Sequence, residues 1–357
     1  MFITKPLVKD PSPELKKYLA LRSLYEDQVY EGGWLKIVIF RLMQLPVQAF
    51  MWLSLHPRLG KVGGLDQREV ETVYSREADT YDKKHHFTTR GQDFWWRVLA
   101  GFTISLAARR KGTKVKVLDV CTGTGLTVNE TTRVLFQSGV EAEVTGIDYT
   151  EAMLAKAKKR PMAFPGTGEF GFERADATNM TGGAKNGFAS FEPDTFDVVT
   201  QIFGIGGIPK PSAVFKEVLF VLKVGGVFLL NDMHTPIKDL PGEWWLGRFW
   251  KTPLLEAISY EYTTKPLALK RTWAWRGDIS LDYPRARLAV AENDGHFFGF
   301  EELWFDVESE RWWLGIPIMT TARILLRKVE INRGEYEKRL ELGFELESAV
   351  QRQRLNS

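Results

Sequence analysis

The sequence predicts an α/β fold, a doubly wound and mostly parallel sheet with helices on both faces. Three observations carry this reading. Short β-rich runs alternate with helical patterns between residues 115 and 231. A glycine turn joins the first run to the first helix. Acidic residues stand where the next two strands end, at Asp148 and Asp176. Strands that alternate with helices this way pair in parallel through right-handed crossovers.

The elements follow in order. Val115–Val120 is a β-rich run, and Cys121-Thr-Gly-Thr-Gly125 follows at once. Leu126–Phe136 reads as a helix. Glu143–Ile147 is the second strand, ending in Asp148, and Glu151–Arg160 is the next helix. Phe172–Ala177 is a third strand and Phe196–Phe203 a fourth. Ser212–Leu222 is a helix, Lys223–Gly226 a turn and Val227–Asn231 the fifth strand. Gly315–Lys328 reads as the last strand, and Asn332–Leu355 as a charged, exposed helix.

Composition narrows the classes. The chain has 357 residues, 44% hydrophobic and 26% charged, enough to bury a large core. Its net charge of +3 is too small for a dedicated nucleic-acid binder. A single cysteine, Cys121, forbids an intrachain disulfide and a cysteine-based zinc cluster, so no metal site is expected. No signal peptide is visible, and a cytoplasmic location is expected. Residues 1–62 carry nine Lys/Arg against five Asp/Glu. Of the twelve tryptophans none falls between residues 97 and 243. This contrast divides the chain into a helical extension over 1–65, a main domain over 66–330 with a Trp-rich insertion at 238–313, and a C-terminal charged helix over 331–357.

The most apolar stretch, Trp34–Leu55, contains Lys36, Arg41, Gln44, Pro46 and Gln48. Each charge at the centre of a spanning helix costs about 2.5–3.5 kcal/mol, so this is not a transmembrane helix. Its polar residues gather on one arc. It reads either as a helix packed on its own domain or as one lying in a membrane surface, where the chain would be a peripheral membrane protein.

The central block carries chemistry. Glycines at 123 and 125 let a backbone approach a ligand, and the helix after them offers free N–H groups. Asp148, 23 residues beyond Gly125, suits two ribose hydroxyls. A dinucleotide turn needs a third glycine, where Val128 stands. The elements instead follow the order of a class I S-adenosylmethionine (SAM) methyltransferase, a Rossmann-like, seven-stranded fold.

Four segments resemble the ubiquinone/menaquinone biosynthesis C-methyltransferase family: Val73–Arg97 with Ala78-Asp-Thr-Tyr-Asp82 inside it, Val117–Gly125, Phe196–Ile205 together with Val221–Gly226, and Gly315–Lys328. The sequence departs from the family in having Leu126 where an acid usually follows the glycine turn. It also has Gly206-Gly207 where the family tends to place Arg-Asn near the acceptor. The resemblance implies SAM binding by Asp119, Thr122, Gly123, Thr124, Gly125, Asp148, Tyr149, Met153, Asp176, Ala177, Gln201 and Phe203. It places Asp148 on the ribose, Tyr149, Asp176 and Ala177 at the adenine, and Gln201 and Phe203 toward the methyl.

Carbon methylation of a quinol ring needs a base for the ring hydroxyl. Tyr81, His85, His86 and His234 are the candidates. The expected activity is methyl transfer to a hydrophobic, lipid-like acceptor such as a quinol ring carbon. Alternatives are a lipid head-group amine or small natural product as acceptor, an NAD(P)-dependent oxidoreductase, and a silent SAM-fold scaffold. A homodimer is a further expectation.

Overall fold

The computed structural model describes residues 67–83, 85, 92–111, 114–161, 168–205, 208–233, 282–311 and 317–356. Trp34–Leu55, His86, His234, Gly206-Gly207 and residues 238–281 of the Trp-rich segment lie outside the described residues.

Two helices, α1 (Gln67–Glu77) and α2 (Gln92–Lys111), precede the sheet. Then come β1 (Val115–Val120), α3 (Leu126–Gln137), β2 (Ala142–Asp148), α4 (Glu151–Lys159) and β3 (Gly168–Arg174). β4 (Phe196–Ile202), α5 (Pro211–Val221) and β5 (Leu222–Met233) complete the parallel half. α6 (Asp282–Leu288), β6 (Val290–Asn293), β7 (His296–Arg311), β8 (Pro317–Ile331) and α7 (Arg333–Asn356) follow.

Among the described residues the sheet has eight strands, in the order β3-β2-β1-β4-β5-β8-β7-β6. The first five pair in parallel, and β8 runs antiparallel to both β5 and β7. The fold is therefore the expected Rossmann-like α/β sheet, but mixed, with eight strands against an expected seven. The added strand is β6, a short edge piece paired antiparallel to β7. Its turn uses Asp294 (φ 49°) and Gly295 (φ 78°). Two left-handed residues in a two-residue loop match the twist of a hairpin. Residues 282–311 thus contribute a helix and two strands to this framework.

The parallel strands are apolar because they are covered on both faces. All seven residues of β4 are buried, as are five of six in β1. One face holds Phe215, Val218 and Leu219 of α5 and Tyr283 of α6 against Phe228, Leu230, Ile324 and Leu326. The other holds Trp96 and Val134 against Ile202 and Leu229, with Ile104 and Leu135 against Val117 and Val198. α2 and α3 cross closely at Gly101, where a Cβ would stand 2.6 Å from that of Val134.

Two boundaries differ from expectation for local reasons. β3 ends at Arg174, because the Asp176 carboxylate turns the chain by accepting from the backbone N–H (2.8 Å) and hydroxyl (2.7 Å) of Thr178. β5 starts at Leu222, and the expected turn at Lys223–Gly226 survives as an irregularity in the ladder, with Gly225 at φ 78°.

The order in which strands are added reverses beside β1, whose parallel neighbours are β2 on one side and β4 on the other. Loops leaving β1 and β4 diverge there, and such switch points open a crevice at the carboxyl ends of the strands.

Candidate active site

The crevice is shaped by backbone first. Cys121 (φ 59°), Gly123 (φ 57°) and Gly125 (φ 78°) all adopt left-handed conformations. Gly125 has a packing reason as well: a Cβ there would stand 3.0 Å from Ala157 and from the Phe172 ring. Among the described residues, a Cβ at Gly123 would meet no atom within 4 Å. Across the switch point, a Cβ on Gly204 would come 2.4 Å from that of Cys121.

The carboxylates come next. Asp148 Oδ2 accepts from the Gly123 N–H at 2.9 Å, and Oδ1 from the Thr150 N–H at 2.8 Å. Burial pushes its pKa up, while these N–H groups pull it down. Gln67, Cys121, Ile147, Asp148, Tyr149 and Ala175–Thr178, with Ile208, line one cavity. Beneath it Asp119 accepts from the Thr200 hydroxyl at 2.8 Å, and burial raises its pKa to about 6. The Cys121 thiol is pushed well up, first by burial and then by the carboxylates of Asp148, Asp119, Asp232 and Asp176. That electrostatic field suits a ligand that carries positive charge.

Beside the cleft stands an aromatic group on a buried histidine. His85 is fully buried. Its ring lies 5.4 Å from Tyr81 and 5.1 Å from Phe203, and Phe203 stacks on Trp96 at 4.7 Å. His85 Nδ1 is 3.5 Å from Asp93 Oδ2, and Arg97 pairs with the same carboxylate at 2.5 Å.

Three ion pairs clasp the segment carrying α1 and Tyr81 to the sheet side: Arg174 with Glu71 (2.8 Å), Lys156 with Asp79, and Arg160 with Asp82. Thr124 donates to Asp82 at 2.5 Å, and Arg160 Nε donates to the Thr124 carbonyl at 2.9 Å. The glycine turn and the entry segment are therefore joined directly.

The structure gathers Asp148, Tyr149, Asp176 and Ala177 on the cavity wall, with Gly123 bonded to Asp148. It places others differently. Met153 is buried in the core, and Gln201 is fully buried. With its amide oxygen turned to Gly204 and Ile205, Gln201 accepts from both backbone N–H groups and holds the turn after β4. Thr124 is engaged by Asp82, and Thr122 is buried, its N–H donating to the Ile147 carbonyl at 2.9 Å. Sequence reading missed Gln67, Cys121, Ile147, Ala175, Thr178 and Ile208 on the cavity wall. Cys121, Ile147, Ala175 and Thr178 adjoin candidate residues in sequence. Gln67 and Ile208 reach the cavity through tertiary structure alone.

Residues 62–241 match the model of the ubiE/COQ5 methyltransferase family. The chain belongs to that family. As a family member it is a SAM-dependent methyltransferase. It is 29% identical over 168 residues to a demethylmenaquinone methyltransferase of Clavibacter sepedonicus, covering 47% of this chain and 59% of that protein. It is 28% identical over 212 residues to a ubiquinone/menaquinone biosynthesis C-methyltransferase of Rhizobium leguminosarum, covering 57% and 76%. A third relative, in Desulfotalea psychrophila, is 32% identical over 48% of this chain and 61% of its own. The crystal structure of the trans-methyltransferase CalH with SAH is similar at TM-score 0.41 and 17% identity, with 66% and 59% of the two chains covered. The ubiE/COQ5 match spans the glycine turn, the acidic strand ends and the His85 cluster. The residues present suit the cofactor of this family: two carboxylates, Asp148 and Asp176, stand on the cavity wall, Gly123 donates to the first of them, and the carboxylates around Cys121 make the local field negative.

Proposed function

We propose that this methyltransferase alkylates a ring carbon of a hydrophobic, prenylated quinol. The observation that carries the proposal is a fully buried histidine seated among aromatic rings next to the cofactor cleft. A lipid-like ring needs apolar walls, and carbon attack by a quinol needs a base inside them.

Bound SAM supplies an electrophilic methyl group on its sulfonium. In the proposed complex Asp148 accepts from the ribose hydroxyls, and its two backbone donors keep the carboxylate aimed. Asp176 accepts from the adenine amino group, and Tyr149 and Ala177 border the ring. Gly123 allows close approach of the methionine part. Phe203, packed between His85 and Trp96, forms the wall between cofactor and acceptor.

His85 is the proposed base, and Asp93 orients its imidazole. The imidazole would take the hydroxyl proton as the ring carbon accepts the methyl group that SAM would supply. It would return that proton to the ring oxygen as the ring C–H proton leaves to solvent and aromaticity is restored, a net release of one proton. The aromatic enclosure excludes water, so reactivity depends on positioning. Tyr81 stands at the edge of this enclosure. The relatives named for demethylmenaquinone and for ubiquinone/menaquinone biosynthesis support a quinone-type acceptor.

A lipid acceptor also favours presentation from a membrane surface, which is the role we assign to Trp34–Leu55. Among the described residues no helix is long and apolar enough to cross a membrane.

The test uses the full chain, labelled SAM and chemically reduced demethylmenaquinol. Label is expected on the ring carbon, and His85→Gln is expected to lower kcat by about 10²-fold or more while leaving SAM affinity unchanged. Absence of label on any quinol, with label on a lipid amine instead, would refute the acceptor reading.

A further inference from the structure

Asn231 sits near the carboxyl end of β5 and is fully buried. Among the described residues neither its Oδ1 nor its Nδ2 has a hydrogen-bond partner. A carboxamide offers two donors and an acceptor, and burying all of them unmade is unfavourable enough that each such case calls for an explanation.

Strand geometry says where the carboxamide points. Successive side chains alternate faces. Leu230 packs in the α5/α6 core, and Leu229 packs with Trp96, Ile202 and Phe203. Asp232 points to the α5/α6 side, where its Oδ2 accepts from the Ile205 N–H at 3.1 Å. Asn231 therefore faces the side of Trp96 and Phe203. Its own carbonyl accepts from the Phe203 N–H at 2.8 Å, which ties it to the wall that touches His85.

The neighbour across the ladder is also polar and buried. Asn231 is in register with Arg323 of β8. Arg323 is fully buried. Ala322 and Ile324 belong to the α5/α6 core, and Leu325 packs with the Trp96 group, so Arg323 shares the face of Asn231. A carboxamide and a guanidinium thus stand side by side under an aromatic enclosure.

We propose that Asn231 is a specificity-determining residue that hydrogen-bonds one ring oxygen of the acceptor. With His85 taking the proton from the hydroxyl next to the methylated carbon, Asn231 holds the other hydroxyl across the ring. The inference rests on the quinol reading above.

The experiment compares wild type, Asn231→Leu and Asn231→Ser. The probes are a prenylated 1,4-naphthalenediol, kept reduced, and the matching 1-naphthol that lacks only the far hydroxyl. Wild type should prefer the diol in kcat/KM. Asn231→Leu should lose about tenfold of that preference, the value of one hydrogen bond near 1.4 kcal/mol, with unchanged SAM affinity. Its Tm without ligands should hold or rise, because an apolar isostere removes unmet polar groups. Asn231→Ser should also lose preference. Unchanged discrimination in both variants, a lower Tm in Asn231→Leu or weakened SAM binding would mark a structural amide and overturn the assignment. If wild type methylates neither compound, the quinol reading falls with it. Wild-type turnover with unchanged discrimination in the variants sinks the Asn231 assignment alone.

Discussion

Asp148 and Asp119 show how one residue type serves two purposes in neighbouring places. Asp148 is aimed by backbone N–H groups at a cavity wall. Replacing it with Ala should remove charge-assisted hydrogen bonds worth about 1.5–3 kcal/mol, a loss of SAM affinity of roughly 10- to 100-fold by calorimetry. Asp119 is buried below, and its pKa of about 6 has a thermodynamic sign. In the unfolded chain the group releases its proton near 3.8, so between about pH 4 and pH 6 the folded state binds more protons. Stability from this group is therefore full below pH 4, falls as pH rises and is lowest above pH 6, by about 3 kcal/mol if the shift acts alone. Asp119→Asn, a mimic of the neutral form, should flatten that slope and raise the Tm of the ligand-free protein at pH 7. A Tm at pH 7 equal to or below wild type would contradict this.

The glycine turn is an element whose two glycines have different jobs. Ala at either position must adopt a left-handed φ, which costs about 1–2 kcal/mol. Gly125→Ala also collides with Ala157 and Phe172, so it should lower Tm further. Gly123→Ala meets no atom of the described residues within 4 Å. It should keep most of the fold's stability and lose SAM affinity, and paired melting and binding curves separate the two. These positions, like most of the parallel half, were legible in the sequence. β1, β2, β4, α3, α4 and α5 lie within a few residues of their expected spans, because strands covered on two faces read as apolar runs between glycine or acidic punctuation. Less legible were α1, α2, α6 and β7, whose apolar residues answer to tertiary neighbours. The Asn293–His296 hairpin carried the Asp-Gly signal of a tight turn but is flanked by too short a run to stand out. Gln201 illustrates the limit at a site. Its position after β4 was evident, but its use as a brace for the Gly204 turn depends on where the chain bends.

At the scale of the whole molecule, acidic residues on the entry segment face basic residues of α4, of the residue just after it and of β3. Glu71, Asp79 and Asp82 meet Arg174, Lys156 and Arg160 around the cleft. Exposed pairs are weakened by salt, so Arg160→Ala and high ionic strength should both speed proteolysis of the ligand-free entry segment. The basic, apolar extension poses a separate question. Liposome flotation of the full chain is expected to succeed with anionic vesicles and to fail when residues 1–62 are removed. Equal recovery of both forms in the soluble fraction would refute the surface role of Trp34–Leu55.

The strand order has a consequence for biosynthesis. β8 is inserted between β5 and β7, although it is made after both. During translation the parallel half can assemble early, yet the hydrogen-bonding edge of β5 stays bare until Pro317–Ile331 has left the ribosome. A nascent chain stalled before that point would offer an apolar template for aggregation, so holdase chaperones should bind this protein late in its synthesis and release it as β8 slots into place.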